Sequence, residues 1–503
     1  MLLIFPPVAK PCEPPAGISR LAAALHAGAI PYRVLDANSE GLLWLMAQTH
    51  AATDTWTLRA EKNRARNLAA LRDPQTYRSP GRYARSISDL NRLLAVAGQE
   101  HDAVVGLADY QHRRFSPLRS SDLLAAAEHP EQNPFFSWFS KRLPEMLDGV
   151  PSVGFSLNYL SQALCTFAMI GYVRRRFPGL LVVLGGGLVT SWVKRPGWRN
   201  PFGGLVDHLV AGPGERTLLN LLGGKELPRR HITPDYSSLP LHDYLAPGFI
   251  LPYSASGGCY WNECSFCPER AEGNEYRPVP VRQALDDLQV LTATGRPVLI
   301  HLLDNAASPA LLRGLADSPP GAPWYGFARF GRELEDPDFC GALRDSGCVM
   351  LKLGLESGDQ GVLDRLHKGI DLGSASRVLQ KLKRAGIAVY LYLLFGTPAE
   401  SETEARRTLE FVVRHRESIG FLNLALFNMP VCGDEAVELA TEPFYEGDLS
   451  LYTGFRHPRG WDRKQVRRFL DHEFRREPAV AEILRNDPPL FTSNHAPFFT
   501  GNR

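Results

Sequence analysis

The hydrophobic positions of the chain form short uninterrupted runs that alternate with segments of helical periodicity. In the first part of the chain these runs predict strands at residues 2–5, 32–35, 151–157, 180–184 and 208–211. Apolar positions spaced three and four apart predict helices at residues 18–27 and 160–177, the first ended by Gly28 in a left-handed conformation. Apolar strands that alternate with helices predict a parallel sheet covered on both faces.

The pattern changes between about residues 45 and 149, where Arg, Gln and Ala are frequent and the helical periodicity is broken. One short apolar run, residues 103–107, stands out in this stretch. We interpret it as a mostly helical insertion. The flanking segments then form one doubly wound, Rossmann-like domain that covers residues 1–235.

A proline-rich stretch, residues 228–247, predicts a linker before a second alternating series. The strands predicted in that series are residues 251–254, 298–303, 325–330, 349–355, 387–395 and 421–427. Asp336 and Pro337 mark the start of one intervening helix, and Gly386 marks the end of another. Six such units predict an open or partial barrel over residues 236–430, followed by a C-terminal accessory region, residues 431–503. In sheets of this kind, ligands bind at the carboxyl ends of the strands.

Composition narrows the class of protein. The chain has 503 residues, with 56 basic and 54 acidic side chains, so a nucleic-acid partner is not expected. Residues 151–173 carry no charge but include several Ser, Thr and Asn, which favours a buried strand and helix over a membrane span. No targeting segment is recognisable, and eight cysteines are too few for a disulfide scaffold. We therefore expect a cytoplasmic protein.

Three cysteines, Cys259, Cys264 and Cys267, lie within nine residues directly after a predicted strand. Thiolates this close in sequence can hold one soft metal centre. A structural zinc ion would require a fourth ligand, and the next candidate, His301, lies 34 residues downstream of Cys267. Three cysteines on a 4Fe-4S cluster would instead leave one iron open to a substrate.

The sequence Cys-Tyr-Trp-x-x-Cys-x-Phe-Cys resembles the cysteine motif of the radical S-adenosylmethionine (SAM) superfamily. Four residues separate the first two cysteines, where the usual motif has three, as in some cobalamin-dependent members. The resemblance implies that Cys259, Cys264 and Cys267 hold a 4Fe-4S cluster whose open iron is chelated by the amine and carboxylate of SAM. It also implies that Phe266 lies against the adenine.

Polar residues and glycines follow the later strands in the order expected of this family. By resemblance, the further SAM-binding positions are Asp304, Arg329, Glu356, Ser357, Gly396 and Pro398. Taken singly, such residues also have structural interpretations, since an Arg in a strand often forms an ion pair and Gly-Thr-Pro is often a turn. Their joint order carries the inference.

The first domain is similar to the cobalamin-binding domain fused to many radical SAM enzymes, through Phe5-Pro6-Pro7, a helix opened by Gly17, and glycines at later strand ends. The alternative, a nucleotide site, lacks the Gly-x-Gly-x-x-Gly spacing and a Walker lysine. The resemblance implies cobalamin contacts at Pro7, Gly17, Ser156, Asn158, Gly185, Gly186, Gly187, Thr190, Gly212, Gly214 and Glu215. The Asp-x-His-x-x-Gly motif is missing, which leaves the lower axial ligand of cobalt open.

These resemblances predict a cobalamin-dependent radical SAM enzyme that methylates an unactivated carbon through a 5′-deoxyadenosyl radical and methylcobalamin. The alternatives are a cyclase, mutase or oxidase that uses cobalamin without methyl transfer, and a non-enzymatic cobalamin or iron–sulfur sensor. The expected partners are a small-molecule or peptide substrate and an electron donor such as flavodoxin or ferredoxin.

Overall fold

The computed structural model describes residues 1–48, 54–225, 231–443, 446–488 and 495–500. Residues 49–53 of the predicted insertion, 228–230 of the predicted linker, and 444–445, 489–494 and 501–503 of the C-terminal region lie outside this description. The chain divides into two compact units. Unit 1 comprises Met1–Phe249 and Tyr445–Leu451, and unit 2 comprises Ile250–Phe444 and Tyr452–Arg503. The domain limits at residues 235 and 430 stay predictions.

Unit 1 contains a five-stranded parallel sheet with the order β2-β1-β5-β6-β7. Its strands, with those of a separate hairpin formed by β3 and β4, are β1 (Leu2–Phe5), β2 (Arg33–Asp36), β3 (Ala103–Val105), β4 (Tyr110–His112), β5 (Ser152–Ser156), β6 (Leu181–Gly185) and β7 (His208–Val210). Every residue of β1 and β5 is buried, as apolar strands covered on both faces require. The predicted doubly wound fold is confirmed.

The helices of unit 1 cover the sheet and form most of the insertion. They are α1 (Ala16–Ala27), α2 (Ala37–Ala47), α3 (Thr55–Leu71), α4 (Pro80–Gln99), α5 (Ser120–Glu128), α6 (Phe136–Leu147), α7 (Leu160–Arg176), α8 (Gly187–Val193) and α9 (Glu215–Leu222). The apolar run at residues 103–107 supplies β3, which pairs antiparallel with β4. The residues between β2 and β5 are therefore mainly helical, as predicted.

The prediction for Gly28 is wrong in one respect. Gly28 ends α1, but its φ is −78°, and Ala29 takes the left-handed conformation with φ +57°. A Cβ atom at position 28 would lie 2.3 Å from the Cδ2 atom of Leu219 in α9, so a side chain there would require the Leu219 side chain to shift.

Unit 2 contains a six-stranded parallel sheet with the order β15-β14-β13-β12-β11-β8, which confirms the predicted partial barrel. The strands of unit 2 are β8 (Ile250–Tyr253), β9 (Ser256–Gly257), β10 (Arg277–Pro278), β11 (Leu299–Leu302), β12 (Trp324–Ala328), β13 (Cys348–Glu356), β14 (Ala388–Phe395), β15 (Phe421–Leu426), β16 (Met429–Pro430), β17 (Thr441–Glu442) and β18 (Tyr452–Phe455). The last three form a small antiparallel sheet.

Helices follow the barrel strands and carry the predicted caps. They are α10 (Pro268–Ala271), α11 (Val281–Gly295), α12 (Pro309–Asp317), α13 (Pro337–Asp345), α14 (Gln360–Arg365), α15 (Leu372–Ala385), α16 (Glu402–His415), α17 (Glu435–Glu438), α18 (Arg463–His472) and α19 (Pro478–Arg485). Asp336 caps α13, and Gly386 ends α15 with φ +72°. The helix α15 begins at Leu372, where the carboxylate of the preceding Asp371 accepts a hydrogen bond from the Ser374 N–H.

Within the described residues, no helix combines the length and the apolar character that a membrane span requires. The uncharged residues 151–173 form β5 and most of α7, as predicted. Of the other cysteines, Cys12, Cys165, Cys340 and Cys348 are buried.

Candidate functional site

The cysteine loop, residues 258–267, follows β9 and ends where α10 begins. Cys264 is buried, Cys259 and Cys267 are half-buried, and all three are free thiols. Burial raises the pKa of the Cys264 and Cys267 thiols, so each needs a cation to favour its thiolate. No three His, Cys, Asp or Glu side chains in the described ranges stand close enough to share one metal ion. Three thiols on one loop are the donor set of a centre with several irons.

A segment far along the chain, residues 366–369, is bonded to the cysteine loop through its backbone. The Ser265 N–H donates to the carbonyl oxygen of Leu366 over 3.1 Å, and the Trp261 indole donates to that of His367 over 3.0 Å. A Cβ atom on Gly369, where φ is +66°, would lie 2.1 Å from the Trp261 ring. We name residues 366–369 the clamp segment. The sequence contains no motif that predicts it.

Arg329 directly follows β12 and lies beside the cysteine loop. Its guanidinium carbon is 4.2 Å from the centre of the Trp261 ring, and Nη1 is 4.0 Å from the Sγ atom of Cys264. Nη2 donates to the carbonyl oxygen of Lys368 in the clamp segment. Arg329 therefore joins the cysteine loop to the clamp segment and places a positive charge next to Cys264.

Glu356, at the end of β13, is paired with a lysine that sequence reasoning missed. The Nζ atom of Lys368 lies 2.8 Å from Oε1 of Glu356, and both side chains are nearly buried. The same Nζ lies 5.5 Å from the centre of the Phe266 ring. Glu356 has φ +69°, a left-handed conformation that costs about 1–3 kcal/mol in a residue other than glycine and is found preferentially at functional sites.

Asp304 and Ser357 support neighbouring backbone. The carboxylate of Asp304 is buried and accepts hydrogen bonds from the Ala255 N–H, at 3.0 Å, and the Ser256 hydroxyl, while burial raises its pKa. The fully buried Ser357 hydroxyl accepts from the Asp359 N–H over 3.2 Å. The structure thus brings both residues to the strand ends, where their observed contacts hold the turns after β8 and β13.

Gly396 and Pro398 lie in the loop between β14 and α16, residues 396–400, which we name the 396–400 loop. Gly396 has φ +79°, and its N–H donates to Oε2 of Glu400 over 2.6 Å. A cavity of about 210 Å³ opens beside this loop at the ends of β14 and β15. Its wall includes Gly396, Phe427, Phe455, Trp461, Arg463 and Val466.

Glu400 is fully buried behind the cavity wall, and burial raises its pKa to about 8. Its Oε2 atom accepts from the Trp461 indole over 3.0 Å as well as from Gly396. Among the described residues, its Oε1 atom and the Thr397 hydroxyl have no hydrogen-bond partner. A carboxyl group in this setting is held largely in its protonated form at neutral pH.

Most of the glycines and polar side chains predicted in unit 1 lie at the carboxyl ends of β5, β6 and β7, and Gly17 lies in the first turn of α1. The Oδ1 atom of Asn158 accepts from the Gly187 N–H over 2.9 Å, and its Nδ2 donates to the Ser156 hydroxyl over 3.1 Å. The Gly212 N–H donates to the Thr190 hydroxyl over 2.9 Å. These contacts link three strand ends into one surface.

The space around the glycines distinguishes two roles. Gly17, Gly187 and Gly212 are exposed, and a Cβ atom on any of them would meet no protein atom closer than 3.7 Å. By contrast, a Cβ atom on Gly186 would lie 2.3 Å from the carbonyl oxygen of Leu157, so this glycine serves packing. At Gly17, Gly187 and Gly212 the backbone is uncovered, so a large planar ligand such as a corrin ring can approach it closely.

The remaining predicted residues of this surface have packing or pairing contacts. A Cβ atom on Gly185 would lie 3.3 Å from the Val210 carbonyl oxygen, and one on Gly214 would lie 3.3 Å from the Leu21 side chain. Glu215, the first residue of α9, forms an ion pair with Arg20 at 2.7 Å. Pro7 is buried after β1.

A family model for the radical SAM superfamily matches residues 253–412. The chain carries a radical SAM domain. The matched residues include the cysteine loop, Arg329, the clamp segment and the 396–400 loop. They extend from β8 into α16, so the radical SAM domain coincides with most of the six-stranded sheet of unit 2.

Curated relatives align with part of this chain. The bacteriochlorophyllide d C-12(1)-methyltransferase of Chlorobaculum tepidum is 25% identical over 201 residues, which is 38% of this chain and 43% of the relative. The anaerobic magnesium-protoporphyrin IX monomethyl ester cyclase of Rubrivivax gelatinosus is 24% identical over 281 residues, 46% of this chain and 48% of the relative. The chain thus spans about half the length of these relatives.

One solved structure has a similar fold over most of the chain. The radical SAM methyltransferase TsrM from Kitasatospora setae, solved with cobalamin and a 4Fe-4S cluster, covers 87% of this chain and 77% of its own with a TM-score of 0.52. Its sequence identity is 15%, so the likeness concerns the fold.

Proposed function

We propose that this protein is a cobalamin-dependent radical SAM enzyme that methylates an unactivated carbon. The single observation that carries the proposal is the cysteine loop at the carboxyl end of the unit 2 sheet, with Arg329, Lys368 and Glu356 gathered around it inside the matched family segment. When bound, the cluster and SAM supply a 5′-deoxyadenosyl radical, and methylcobalamin supplies the methyl group. The protein has to hold both cofactors, orient the substrate and exclude water.

In this proposal the residues of unit 2 hold the cluster and SAM. Cys259, Cys264 and Cys267 are the cluster ligands, and Arg329 beside Cys264 favours its thiolate. The Phe266 ring and the cavity at the 396–400 loop accommodate adenosine, since both offer apolar surface. Glu356, held by Lys368, and the supporting residues Asp304 and Ser357 keep the strand ends in place.

The glycine-lined surface of unit 1 is the proposed cobalamin site. Asn158 and Thr190 hold the backbone at Gly187 and Gly212, so that uncovered main-chain atoms face the ligand. Cobalamin binding here is supported by the exposed glycines and by the fold shared with TsrM, whose structure contains cobalamin. The residue on the lower face of cobalt is not part of the proposal.

The proposal includes the environment and partners of the enzyme. A reductant such as flavodoxin or ferredoxin would supply the electron, and the substrate would be a small molecule or a peptide. The tetrapyrroles named for two relatives are the first compounds to test. We place the protein in the cytoplasm because none of its eight cysteines forms a disulfide, which suits a reducing compartment. We expect no nucleic-acid partner.

The proposal is tested by anaerobic reconstitution with iron, sulfide and cobalamin, followed by addition of SAM and dithionite. We expect 5′-deoxyadenosine and S-adenosylhomocysteine from the wild-type protein. Neither product should form with Cys264→Ala, whereas Cys340→Ala, which alters a buried thiol in α13, should retain activity. Absence of SAM cleavage in the wild-type preparation would contradict the enzyme proposal.

A second candidate is a cobalamin-using cyclase, mutase or oxidase, which the similarity to the Rubrivivax cyclase favours. It predicts 5′-deoxyadenosine without S-adenosylhomocysteine in the same experiment. A non-enzymatic sensor, the third candidate, predicts cofactor binding without any SAM cleavage. The ratio of the two nucleoside products therefore separates the three candidates.

A further inference from the structure

We propose that residues 457–462, which we name the C-terminal strap, position the 396–400 loop for SAM binding, and that Trp461 is the positioning residue that holds Glu400. This inference rests on the proposed function, because it assigns the cavity beside that loop to SAM. The strap lies beyond residue 412, where the match to the radical SAM family model ends.

Three strap side chains bond to the 396–400 loop. The Trp461 indole donates to Oε2 of Glu400 over 3.0 Å, and Nε2 of His457 lies 2.9 Å from the carbonyl oxygen of Thr397. Nη1 of Arg459 donates to the carbonyl oxygen of Ala399 over 2.9 Å. Alternate residues of the strap therefore hold Thr397, Ala399 and Glu400 of the loop.

The strap also holds the start of α16. Nη2 of Arg459 forms an ion pair with Oε1 of Glu404 at 2.9 Å. The other carboxylate oxygen of Glu404 accepts from the Ser401 N–H over 2.8 Å, which completes the capping box of α16. Arg459 thus connects the first turn of α16, through Glu404, to the loop that precedes the helix, through Ala399.

The turn of the strap is organised by its own histidine. Nδ1 of His457 accepts from the backbone N–H groups of Arg459 and Trp461, each over 3.2 Å. An imidazole nitrogen that accepts twice carries no proton, so Nε2 carries it and donates to Thr397. The strap therefore has a defined conformation that aims Arg459 and Trp461 at the loop.

Glu400 connects the strap to the cavity, because it is bonded to a residue of each. One oxygen, Oε2, accepts both from the Trp461 indole and from the Gly396 N–H, the latter over 2.6 Å. The strap continues into α18, where Val466 lies 3.2 Å from the position of a Cβ atom on Gly396. Trp461, Val466 and Gly396 all line the 210 Å³ cavity. Loss of the indole donor frees one side of Glu400 and loosens the Gly396 backbone.

The test compares Trp461→Phe with Trp324→Phe. Both changes remove one buried indole donor, and Trp324 donates to the Ser346 hydroxyl at 3.2 Å, away from the cavity. Hydrogen exchange of peptides that span residues 393–404 is measured on the full chain without cofactors. The SAM dissociation constant is measured by equilibrium dialysis on the anaerobic, cluster-loaded protein.

We expect Trp461→Phe to accelerate exchange at residues 396–400 and to weaken SAM binding about tenfold, because a buried carboxyl group loses a donor. Trp324→Phe should leave both unchanged. If Trp461→Phe proves unstable, Arg459→Met should produce the same two effects, with Arg475→Met, which removes the exposed pair with Asp471, as its control.

Unchanged exchange in both strap variants would overturn the inference, and so would SAM affinity within twofold of wild type despite faster exchange. Failure of the wild-type protein to bind SAM would contradict the proposed function and the role in SAM binding together. The exchange measurement would then still decide whether the strap holds the loop, because it requires no cofactor.

Discussion

At the scale of single residues, three buried or nearly buried ionisable side chains of unit 2, Lys368, Glu356 and Glu400, determine how the stability of the protein responds to mutation and to pH. Lys368 and Glu356 form a nearly buried ion pair. Glu400 is buried, and the described groups that donate hydrogen bonds to its carboxylate, the Gly396 N–H and the Trp461 indole, are both uncharged. A buried pair is costly to break, and a buried lone carboxyl group is costly to ionise. The buried pair should therefore be sensitive to the removal of one partner, and Glu400 should make stability depend on pH.

Replacing Lys368 by Met should destabilise the protein by about 3 kcal/mol, because Glu356 would remain buried without its partner. Urea denaturation measures the effect. The double variant Lys368→Met, Glu356→Gln should recover most of the loss. Lys383→Met, which breaks an exposed pair with Glu417, should cost less than about 1 kcal/mol. Equal losses in the two lysine variants would contradict a special role for the buried pair.

Glu400 should make stability fall as pH rises. Its pKa is raised from 4.5 to about 8, so the folded protein binds a proton that the unfolded chain releases between these values. The free energy of unfolding of wild type, relative to Glu400→Gln, should decrease by about 1 kcal/mol per pH unit from pH 5 to 8. The exposed Glu402→Gln serves as a control and should keep the wild-type slope; an identical slope in Glu400→Gln would refute the assignment.

At the scale of elements, close backbone contacts between helices explain glycines that periodicity alone does not. Gly171 lies in the middle of α7, and a Cβ atom there would lie 1.9 Å from the carbonyl oxygen of Ala127 in α5. The sequence predicts α7 as a buried apolar helix, but the broken periodicity of the insertion does not show which of its helices packs on α7. The need for glycine at this position could not be predicted without knowing that partner.

Gly171→Ala should destabilise the protein by about 2 kcal/mol, since backbone atoms of α5 would have to move. Gly81→Ala, in α4 where no protein atom lies within 4 Å of the added Cβ atom, should be neutral or slightly stabilising because alanine favours helix. Thermal denaturation of the two variants decides the point. A destabilisation of similar size in both would argue against the contact between α5 and α7.

At the scale of the whole molecule, the two proposed cofactor sites belong to separate compact units. Each site is built from strand ends of its own sheet, so each should tolerate damage to the other. The three cysteines of the cysteine loop lie in unit 2, and the exposed glycines Gly17, Gly187 and Gly212 lie in unit 1. This division predicts that the two binding activities can be lost independently.

The Cys264→Ala variant should lose the cluster and retain cobalamin. The Gly187→Leu variant should retain the cluster and lose cobalamin, because a large side chain would fill the open surface at Asn158. Iron content and cobalamin absorbance after desalting measure the two ligands. Gly179→Leu, at an exposed glycine of unit 1 that has no neighbour within 4 Å of an added Cβ atom, is the control for a bulky substitution. Loss of both cofactors in either variant would show that the sites depend on each other.

The sequence by itself determined the two parallel sheets and the cysteine motif, because these depend on local periodicity and on short spacing. It also indicated the helical nature of the insertion, because Arg, Gln and Ala are frequent there. Only the tertiary structure revealed Lys368, the clamp segment and the C-terminal strap. The clamp segment lies about a hundred residues beyond Trp261 and bonds mainly through backbone carbonyl groups, which leave no trace in side-chain pattern. The strap contacts Glu400 from some sixty residues away, through ordinary His, Arg and Trp side chains. Contacts of this range arise only when the folded chain brings distant segments together, whereas strands and motifs are encoded within a few residues.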